Sequence, residues 1–394
     1  MTAAKFTSSQ RMQAVQTPII PVVAEWLRQY PEAISLGQGV VFYGPPAAAL
    51  AAAQDYPADP AAHRYGPVEG EPPLRAALEA KLRTENHIGI GDATVVVVSA
   101  GSNMAFMNAL FAITDPGDEV ILLSPYYFNH EMAIRMLGCT CVAVPTLTNY
   151  QPDIDAIAAH IGPRTRAVVT VSPNNPTGAV YPAQTLTEIN NLCAHHGIYH
   201  INDEAYEYFT YETARHFSPA SLPTAAAHTI SLFSFSKAYG FAGWRIGYAV
   251  LPQHLQASVQ KAQDTHLICP TRIAQYAASA ALAAGRNYCM TESAPLTETR
   301  RQVLAACSVL TDICDIPAAD GAFYLLLRVH TRMDAFVLAQ RLIAEHGVAV
   351  IPGATFGCDD GCYLRVSYGA LAGVTALKGI DRLVHGLQTL VRIV

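Results

Sequence analysis

The stretch Ser234-Phe235-Ser236-Lys237-Ala238-Tyr239-Gly240-Phe241-Ala242-Gly243-Trp244-Arg245-Ile246-Gly247 carries the strongest indication of the fold. The β-branched and apolar run 229–234 predicts a strand, so Lys237 follows the carboxyl end of that strand. Open α/β sheets bind their ligands at this edge. A lysine taken alone is usually a solvated surface charge, so its neighbours must decide whether it has a function.

Hydroxyl and guanidinium groups accompany Lys237 in the chain. A Schiff-base lysine needs a partly desolvated amine, and a phosphate-bearing cofactor needs donors close by, for which Ser234, Ser236 and Arg245 are candidates. Upstream, Ala100-Gly101-Ser102-Asn103 joins a predicted strand to an apolar helix. We expect Ser102 to cap this helix and its free amides to receive phosphate. The alternative is a helix cap without a ligand.

Short apolar runs alternate with helix-length amphipathic stretches between residues 93 and 251. This pattern predicts a parallel sheet with crossover helices. Several runs are apolar throughout, which predicts strands that are buried on both faces. After a long helical region at about 269–313, further strands predict a smaller α/β unit. The predicted strands are 94–99, 119–124, 140–144, 167–171, 198–202, 229–234, 246–251, 322–329, 348–351 and 363–367.

Polar groups follow two other predicted strands. In Asn202-Asp203-Glu204-Ala205-Tyr206, a carboxylate and a phenol stand three residues apart. A carboxylate beside a pyridine nitrogen keeps that ring protonated, which makes pyridoxal 5′-phosphate an electron sink, so Asp203 is a candidate. Tyr206 is a candidate partner for the ring oxygen O3′. In the rigid loop Ser172-Pro173-Asn174-Asn175-Pro176-Thr177-Gly178, Asn175 is a candidate for O3′ and a substrate carboxylate. A half-buried tyrosine and a simple turn are the alternatives.

Together these motifs resemble the class I/II aminotransferases of pyridoxal-phosphate fold type I. The resemblance covers nearly the whole chain, from Ser9-Gln10-Arg11-Met12 and Leu36-Gly37-Gln38-Gly39 to Gly321-Ala322-Phe323-Tyr324, Pro352-Gly353-Ala354-Thr355-Phe356-Gly357 and Leu364-Arg365-Val366-Ser367. It implies an α/β fold with a large domain, whose mostly parallel sheet is sandwiched by helices, and a smaller α/β domain. We expect an N-terminal arm at 1–15, the large domain at 46–285, and the small domain at 16–45 with 286–394.

The resemblance also implies the cofactor, pyridoxal 5′-phosphate, and the catalytic residues Lys237, Asp203 and Tyr206. Lys237 would carry the cofactor as a Schiff base and shuttle a proton between Cα and C4′. Asp203 would pair with the pyridinium, and Tyr206 with O3′. The other expected cofactor contacts are Gly101, Ser102, Asn103, Tyr127, Asn175, Ser234, Ser236 and Arg245.

Substrate binding and assembly follow from the same resemblance. Arg365 would bind the substrate α-carboxylate through its planar fork of donors, with Asn175 and the Gly39 backbone beside it. Without this context, an arginine between apolar residues is more often a strand-edge side chain. Tyr65 would reach the cofactor phosphate of a neighbouring subunit, which implies a homodimer. The small domain would close over the substrate.

The expected reaction moves the amino group of an L-amino acid to a 2-oxo acid in ping-pong half-reactions. Aromatic residues near the expected pocket favour a neutral or aromatic side chain, although core packing is the alternative for them: Trp26, Phe42, Tyr43 and Tyr126. An acid at Asp264, near His266, would instead suit a cationic amino acid. The segment after Gly39, Val40-Val41-Phe42-Tyr43, departs from the Pro-Asp-Phe type of many relatives, which weakens any transfer of specificity.

Two other functions remain possible on this fold. A β-lyase or a cyclising synthase of specialised metabolism would use the same cofactor contacts. A non-enzymatic effector-binding module would need a DNA-binding segment, but the residues before Leu36 contain no helix-turn-helix pattern and no basic segment. A half-reaction with an amino acid alone would separate transamination from these alternatives.

The composition limits which binding partners and which cellular compartment we expect. The formal charge of −6 gives little support to a nucleic-acid or anionic-membrane surface, and no run of residues has the length of an apolar spanning helix. Nine cysteines, an odd number without paired CxxC spacing, predict reduced thiols and no metal site. Because residues 1–16 are polar without an apolar core, we expect a cytoplasmic protein.

Overall fold

The structure is a computed structural model that describes residues 6–391. Its helices are α1 (Gln10–Gln13), α2 (Ile19–Arg28), α3 (Ala47–Gln54), α4 (Pro72–Glu85), α5 (Ser102–Ile113), α6 (Phe128–Met136), α7 (Ile154–His160), α8 (Ala183–His196), α9 (Gln256–His266), α10 (Arg272–Cys307), α11 (Ala335–His346) and α12 (Gly373–Val391). Its strands are β1 (Ile34–Ser35), β2 (Thr94–Ser99), β3 (Glu119–Ser124), β4 (Thr140–Pro145), β5 (Thr165–Val171), β6 (Tyr199–Asp203), β7 (Thr229–Ser234), β8 (Gly247–Pro252), β9 (Cys314–Asp315), β10 (Tyr324–Val329), β11 (Val348–Ala349), β12 (Ile351–Pro352) and β13 (Cys362–Ser367).

The largest sheet has seven strands in the order β2-β8-β7-β6-β5-β3-β4. Its strands run parallel except β8, which is antiparallel to both β2 and β7. Alternate residues of β2 belong to different apolar clusters. Val95 and Val97 pack in a cluster with residues of α5 and α9, whereas Val96 and Val98 pack in a cluster with residues of α4 and α10. Both faces are therefore covered by helices, which explains why these strands are apolar throughout. The predicted sandwiched, mostly parallel sheet is confirmed.

A second group of strands forms two small sheets. The four-stranded sheet has the antiparallel order β12-β13-β10-β9, and β1 pairs in parallel with β11. The β1–β11 pair joins residues near position 34 to the C-terminal part of the chain. Helix α10 has one non-helical residue, Gly285, with φ 64° and ψ −164°, so the helix is kinked there. The smaller α/β unit is confirmed, whereas the domain boundaries stay a prediction.

The parallel strands deliver the predicted site residues to one edge of the sheet. Asp203 is the last residue of β6, Asn175 follows β5, and Lys237 follows β7. Tyr127 comes after β3 as the N-cap residue of α6. Arg365 arrives from the other side, on β13 of the four-stranded sheet. The site therefore lies where the carboxyl ends of the large sheet meet the smaller unit.

Two predicted strands of the smaller unit differ from the structure. The run 348–351 is not one strand, because β11 pairs with β1 and β12 pairs with β13 in a different sheet. The run 322–329 begins only at Tyr324, because Ala322 adopts the left-handed conformation with φ 53° and bonds to Phe209 instead. Both differences are set by pairing between distant segments rather than by local pattern.

Candidate active site

A cavity of about 350 Å³ opens at the carboxyl ends of the parallel strands. Nearly all predicted site residues line it: Gly39, Ser102, Asn103, Tyr127, Asn175, Asp203, Tyr206, Ser234, Ser236, Lys237, Arg245 and Arg365. A larger cleft of about 1000 Å³ lies nearby, between segments 145–151 and 315–320, but none of the predicted site residues lines it. We therefore place the chemistry in the smaller cavity, which holds an amine, two guanidinium groups and a carboxylate.

Lys237 presents a partly buried amine to this cavity. Its Nζ donates to the Gly39 carbonyl oxygen at 2.5 Å and lies 5.9 Å from the centre of the Tyr206 ring. Burial, followed by the positive charges of Arg365 and Arg245, lowers the pKa of Lys237 to about 8, although the nearby Asp203 carboxylate opposes this shift. A substantial fraction of the amine is therefore unprotonated near neutral pH, as a nucleophilic lysine requires.

Asp203 is held by its own turn and lies beside a histidine that sequence reasoning did not find. Its Oδ1 accepts from the Ala205 amide at 3.1 Å, and its Oδ2 lies 3.2 Å from Nε2 of His130. His130 is buried against the ring of Phe106, with centroids 4.1 Å apart. One signal in the sequence was available: His130 lies three residues after Tyr127, so both project from one side of the first turn of α6.

Arg365 is a buried cation without a carboxylate partner in the described part of the chain. It is 2% exposed, and its guanidinium lies between the rings of Tyr324 and Phe356, at 4.8 and 5.0 Å. Nη1 donates to Asn175 Oδ1 at 3.1 Å and Nη2 to the Gly37 carbonyl at 2.7 Å, while Nε has no partner. Burial lowers its pKa. Because an isolated buried charge is costly, this arrangement fits a ligand with an anionic group.

Tyr206 connects Arg365 to the centre of the cavity through hydrogen bonds. Asn175 Nδ2 donates to the Tyr206 hydroxyl at 3.3 Å, and this hydroxyl lies 2.8 Å from that of Tyr324. Burial, followed by the neighbouring Tyr324, raises the pKa of Tyr206. Tyr206 therefore keeps its proton at physiological pH and can donate a hydrogen bond. Tyr324 belongs to a motif that sequence analysis noted without assigning it a role.

Arg245, Gly101 and the start of α5 form a cradle for an anion. Arg245 has φ 56°, a left-handed conformation that is uncommon outside glycine and is enriched at functional sites. Its Nη1 donates to the Ala242 carbonyl at 2.8 Å and lies 3.4 Å from Ser236 Oγ. Gly101 has φ 86°, and a Cβ atom there would collide with the Arg245 guanidinium. The backbone conformation at position 101 therefore favours glycine.

The start of α5 corrects one expectation about Ser102. The N-cap residue is Gly101, with no side-chain cap bond, and Ser102 is the first helical residue. Ser102 therefore does not cap the helix, because the sharp turn at the positive-φ glycine already begins it. An uncapped helix start, a guanidinium and serine hydroxyls are the donors that phosphate prefers. The cradle fits the phosphate of the expected cofactor, and the Asp203 carboxylate fits its protonated ring.

Tyr65 is a predicted cofactor residue that the described structure places away from the cavity. Its side chain is 78% exposed and lines a shallow surface groove beside Cys269 and Arg272. The amide of Gly66 next to it lies 3.3 Å from Cys269 Sγ. Within one subunit, Tyr65 therefore has no contact with the residues around Lys237.

The aromatic residues expected near the substrate pocket are elsewhere. Trp26 and Tyr43 pack against the core, Tyr126 packs against Gly357, and Phe42 is 39% exposed. Residues of the N-terminal segment, together with two others, supply the apolar wall instead: Pro18, Ile20, Pro21, Val40 and Phe128. Core packing, the alternative for the four aromatic residues, accounts for Trp26, Tyr43 and Tyr126.

Asp264 and His266 also lie away from the cavity in this protomer. Both are exposed residues of α9, and neither lines the space around Lys237. The adjacent Gln263 is buried and bonds to the Val98 carbonyl, which directs its neighbours outward. A role for Asp264 in binding a cationic substrate has no support from this geometry.

Known proteins with similar sequence and structure agree on the family. The family model described as aminotransferase class I and II matches residues 31–383. An aromatic aminotransferase of Arabidopsis thaliana is 34% identical, over 96% of this chain and 97% of its own. An aspartate/prephenate aminotransferase of Thermus thermophilus is 36% identical, over 81% of this chain and 82% of its own.

Solved structures extend the agreement to the fold. A mutant of the aspartate aminotransferase of Thermus thermophilus superposes with a TM-score of 0.88 at 32% identity, covering 97% of this chain and 100% of its own. The aromatic aminotransferase of Pyrococcus horikoshii gives a TM-score of 0.85 at 31% identity, covering 93% and 99%. The chain therefore belongs to the class I and II aminotransferases, and it is a transferase that uses pyridoxal phosphate.

Proposed function

We propose that this aminotransferase moves the amino group of a neutral or aromatic L-amino acid to a 2-oxo acid. The observation that carries the proposal is the buried, unpaired Arg365 in the same cavity as Lys237. An α-amino acid offers both complementary groups, since its carboxylate pairs with the guanidinium while its amino group lies towards the lysine. The relatives named above are aminotransferases, so a β-lyase or cyclising reaction is not favoured.

The cavity residues would hold the cofactor mainly at its phosphate and at its ring nitrogen. Arg245, Ser236 and the start of α5 would hold the phosphate, and Asp203, steadied by His130, would face the ring nitrogen. The remaining contacts would come from Gly101, Asn103, Tyr127, Asn175, Tyr206 and Ser234. When bound, pyridoxal phosphate supplies an aldehyde that condenses with amines and a ring that accepts the electron pair left at the substrate Cα.

Lys237 would act as the base at the substrate Cα. Its partly buried amine has a pKa lowered to about 8, first by burial and then by Arg365 and Arg245, so it accepts and releases a proton readily near neutral pH. The Gly39 carbonyl, 2.5 Å from Nζ, would hold the amine in place between transfers. Tyr206 would donate a hydrogen bond to the ring oxygen of the cofactor.

The walls of the cavity support a neutral substrate side chain. The described cations that line it are Lys237, Arg245 and Arg365, and each already has a partner in the proposed chemistry. No further described cation lines the cavity to bind a second carboxylate. The opposite wall is apolar, with Ile20 and Phe128 as its largest members. A dicarboxylic side chain would lose its hydration there without compensation.

A homodimer would complete the site. The side chain of Tyr65 is 78% exposed, although much of it is an apolar ring. Arg245, which would bind the phosphate, is also exposed in one subunit. We propose that Tyr65 of a second copy covers this exposed cradle and hydrogen-bonds the cofactor phosphate.

We also propose the domain division expected from the sequence. The large domain spans 46–285, the N-terminal arm 1–15, and the small domain 16–45 and 286–394. Residues 1–5 and 392–394 of that division lie outside the described residues.

We also propose that the enzyme is cytoplasmic. All nine cysteines are free thiols, and burial raises the pKa of most of them, as of Cys193 to about 12. Such unpaired thiols are typical of reducing compartments. Separately, the helices within residues 6–391 include none that is long and apolar enough to cross a bilayer.

A half-reaction panel tests the proposed function. Cofactor-loaded enzyme is mixed with one amino acid at a time, and conversion of the visible band to that of pyridoxamine phosphate is followed by stopped-flow absorbance. We expect the largest second-order rate constants with phenylalanine, tyrosine or methionine, and recovery of the band on adding a 2-oxo acid. Highest rates with aspartate or lysine would overturn the proposed substrate class. Conversion that no 2-oxo acid reverses would overturn transamination.

A further inference from the structure

Tyr324 is a fully buried phenol that has no part in the mechanism described so far. It is the first residue of β10, it is 0% exposed, and it lines the same cavity as Lys237. Among the described residues, its hydroxyl has one hydrogen-bond partner, the Tyr206 hydroxyl at 2.8 Å. Since either phenol can donate across that distance, the direction of this bond must be derived from their neighbours.

Arg365 determines the orientation of the Asn175 amide. A guanidinium can only donate, so the Asn175 atom 3.1 Å from Arg365 Nη1 must be the carbonyl oxygen. The amide nitrogen of Asn175 then faces Tyr206, and it donates to the Tyr206 oxygen at 3.3 Å. This oxygen therefore already accepts one hydrogen bond from the protein.

The second bond at Tyr206 must come from Tyr324. If Tyr206 donated to Tyr324, its own hydrogen would be used up, and the buried Tyr324 hydrogen would have no acceptor among the described residues. An unsatisfied buried hydroxyl is unfavourable. In the reverse direction Tyr324 donates to Tyr206, and the hydrogen left over belongs to Tyr206, which in the proposed function donates it to the ring oxygen of the cofactor; only this direction satisfies both hydroxyls once the cofactor is bound.

We propose that Tyr324 is a positioning residue: its hydroxyl donates to the Tyr206 oxygen and so directs the Tyr206 hydrogen toward the ring oxygen of the cofactor. This inference rests on the proposed function, in which Tyr206 bonds that oxygen. It adds a residue whose effect on the cofactor passes entirely through Tyr206.

Packing keeps the Tyr324 hydroxyl in this position. The Arg365 guanidinium lies 4.8 Å from the centre of the Tyr324 ring, and the rings of Tyr206 and Tyr324 meet edge to face, 5.6 Å apart. Gly39 leaves the space for the hydroxyl, since a Cβ atom at position 39 would lie 2.6 Å from it. The hydroxyl therefore has little room to turn away from Tyr206.

Two donors on its oxygen make the Tyr206 hydroxyl a stronger donor, because hydrogen bonds in a chain polarise each other by about 10–30%. Stronger donation stabilises the negative charge on the ring oxygen of the cofactor. It thereby favours the deprotonated form of the nitrogen that links Lys237 to the cofactor. Removal of the Tyr324 hydroxyl should therefore raise the pH midpoint of this deprotonation by about 0.3, a two-fold change in the proton equilibrium.

The other charged and titratable groups around this pair stay unchanged in the test. Those that face Tyr206 are Tyr127, Arg365 and Lys237, and those that face Lys237 in turn are Arg365, Arg245 and Asp203. A shift in the Tyr324→Phe variant therefore reports the missing hydroxyl rather than a changed charge.

The experiment is a pH titration of the visible absorption band of the cofactor-loaded enzyme. It compares the wild type with Tyr324→Phe, Tyr206→Phe and the double variant, and a thermal melt checks that each is folded. Tyr324→Phe should raise the midpoint by about 0.3, and Tyr206→Phe should raise it more. In the Tyr206→Phe background, loss of the Tyr324 hydroxyl should change nothing, because its effect passes through Tyr206.

A matched control is Tyr368→Phe, since Tyr368 is equally buried but does not line the cavity. Its midpoint should equal that of the wild type. An unshifted midpoint in Tyr324→Phe, or an equal shift with and without Tyr206, would overturn the inference. Failure of the proposed cofactor arrangement looks different, because the wild type would then have no titratable visible band that depends on Lys237; failure of the proposed transamination would appear separately, in the half-reaction panel.

Discussion

Replacing Arg365 with glutamine removes a buried cation that, in the proposed function, binds the substrate carboxylate. The guanidinium is 2% exposed, lies between two aromatic rings, and keeps Nε without a protein partner. Removing one member of a buried, hydrogen-bonded charge pair costs about 2–5 kcal/mol. The expected loss in kcat/KM is therefore about 30-fold to 5000-fold. Arg365→Lys keeps the charge but loses the planar fork, so it should lose about 10-fold to 100-fold.

The assay separates carboxylate binding from general damage. Half-reaction rates are measured with phenylalanine and with phenethylamine, which lacks the carboxylate. The wild type should strongly prefer phenylalanine, and this preference should disappear in Arg365→Gln because only the phenylalanine rate depends on the guanidinium. Arg328→Gln is the matched control, since Arg328 lies on neighbouring β10, 3.6 Å from the exposed Asp360. An equal loss for both substrates in Arg365→Gln would refute the assignment.

Three further results are expected. Lys237→Ala should lose the visible cofactor band and essentially all turnover. The control Lys261→Ala, which changes an exposed residue of α9, should keep both. Retained turnover of Lys237→Ala without an added amine would contradict the role of Lys237. Uptake of pyridoxal phosphate by the apoenzyme should accelerate with rising pH, with a midpoint at about 8. The reason is that burial, followed by Arg365 and Arg245, lowers the pKa of Lys237. A midpoint of about 10, as for a free lysine, would show that the Lys237 pKa is not lowered. Mixed dimers of Lys237→Ala and Tyr65→Ala subunits should regain activity, since one of their two sites receives both native residues; no recovery in purified heterodimers would mean that Tyr65 does not act across subunits.

Local pattern predicted most of the fold. The strands at 94–99, 119–124 and 229–234 have these bounds in the structure, because each is a short apolar run buried on both faces. The pattern failed where pairing partners are distant in sequence. Segment 348–351 divides between two sheets, since one part pairs with β1 and the other with β13, and no local signal distinguishes the two.

The site was predicted correctly for residues that directly follow a strand. It was not predicted for residues that reach the cavity only through packing between distant segments. Asp203, Asn175 and Lys237 come directly after parallel strands, so their convergence follows from the topology. Ile20, in contrast, reaches the cavity only because the N-terminal segment folds across it. Tyr43 seemed an equally good pocket residue, but its hydroxyl bonds to the Ala238 carbonyl within the core. Hydrophobicity alone cannot separate these two outcomes.

Three groups that depart from ordinary folding rules border the same cavity. Arg365 is a buried charge without an anion among the described residues, Arg245 holds a left-handed backbone, and Lys237 has an amine with a lowered pKa. Folding alone does not compensate any of these features, because a smaller or apolar side chain would avoid the unfavourable free energy. Two anionic groups, a phosphate at Arg245 and a carboxylate at Arg365, would offset them together. The presence of both cations in the cavity that holds the Lys237 amine therefore favours a cofactor and an amino acid bound together.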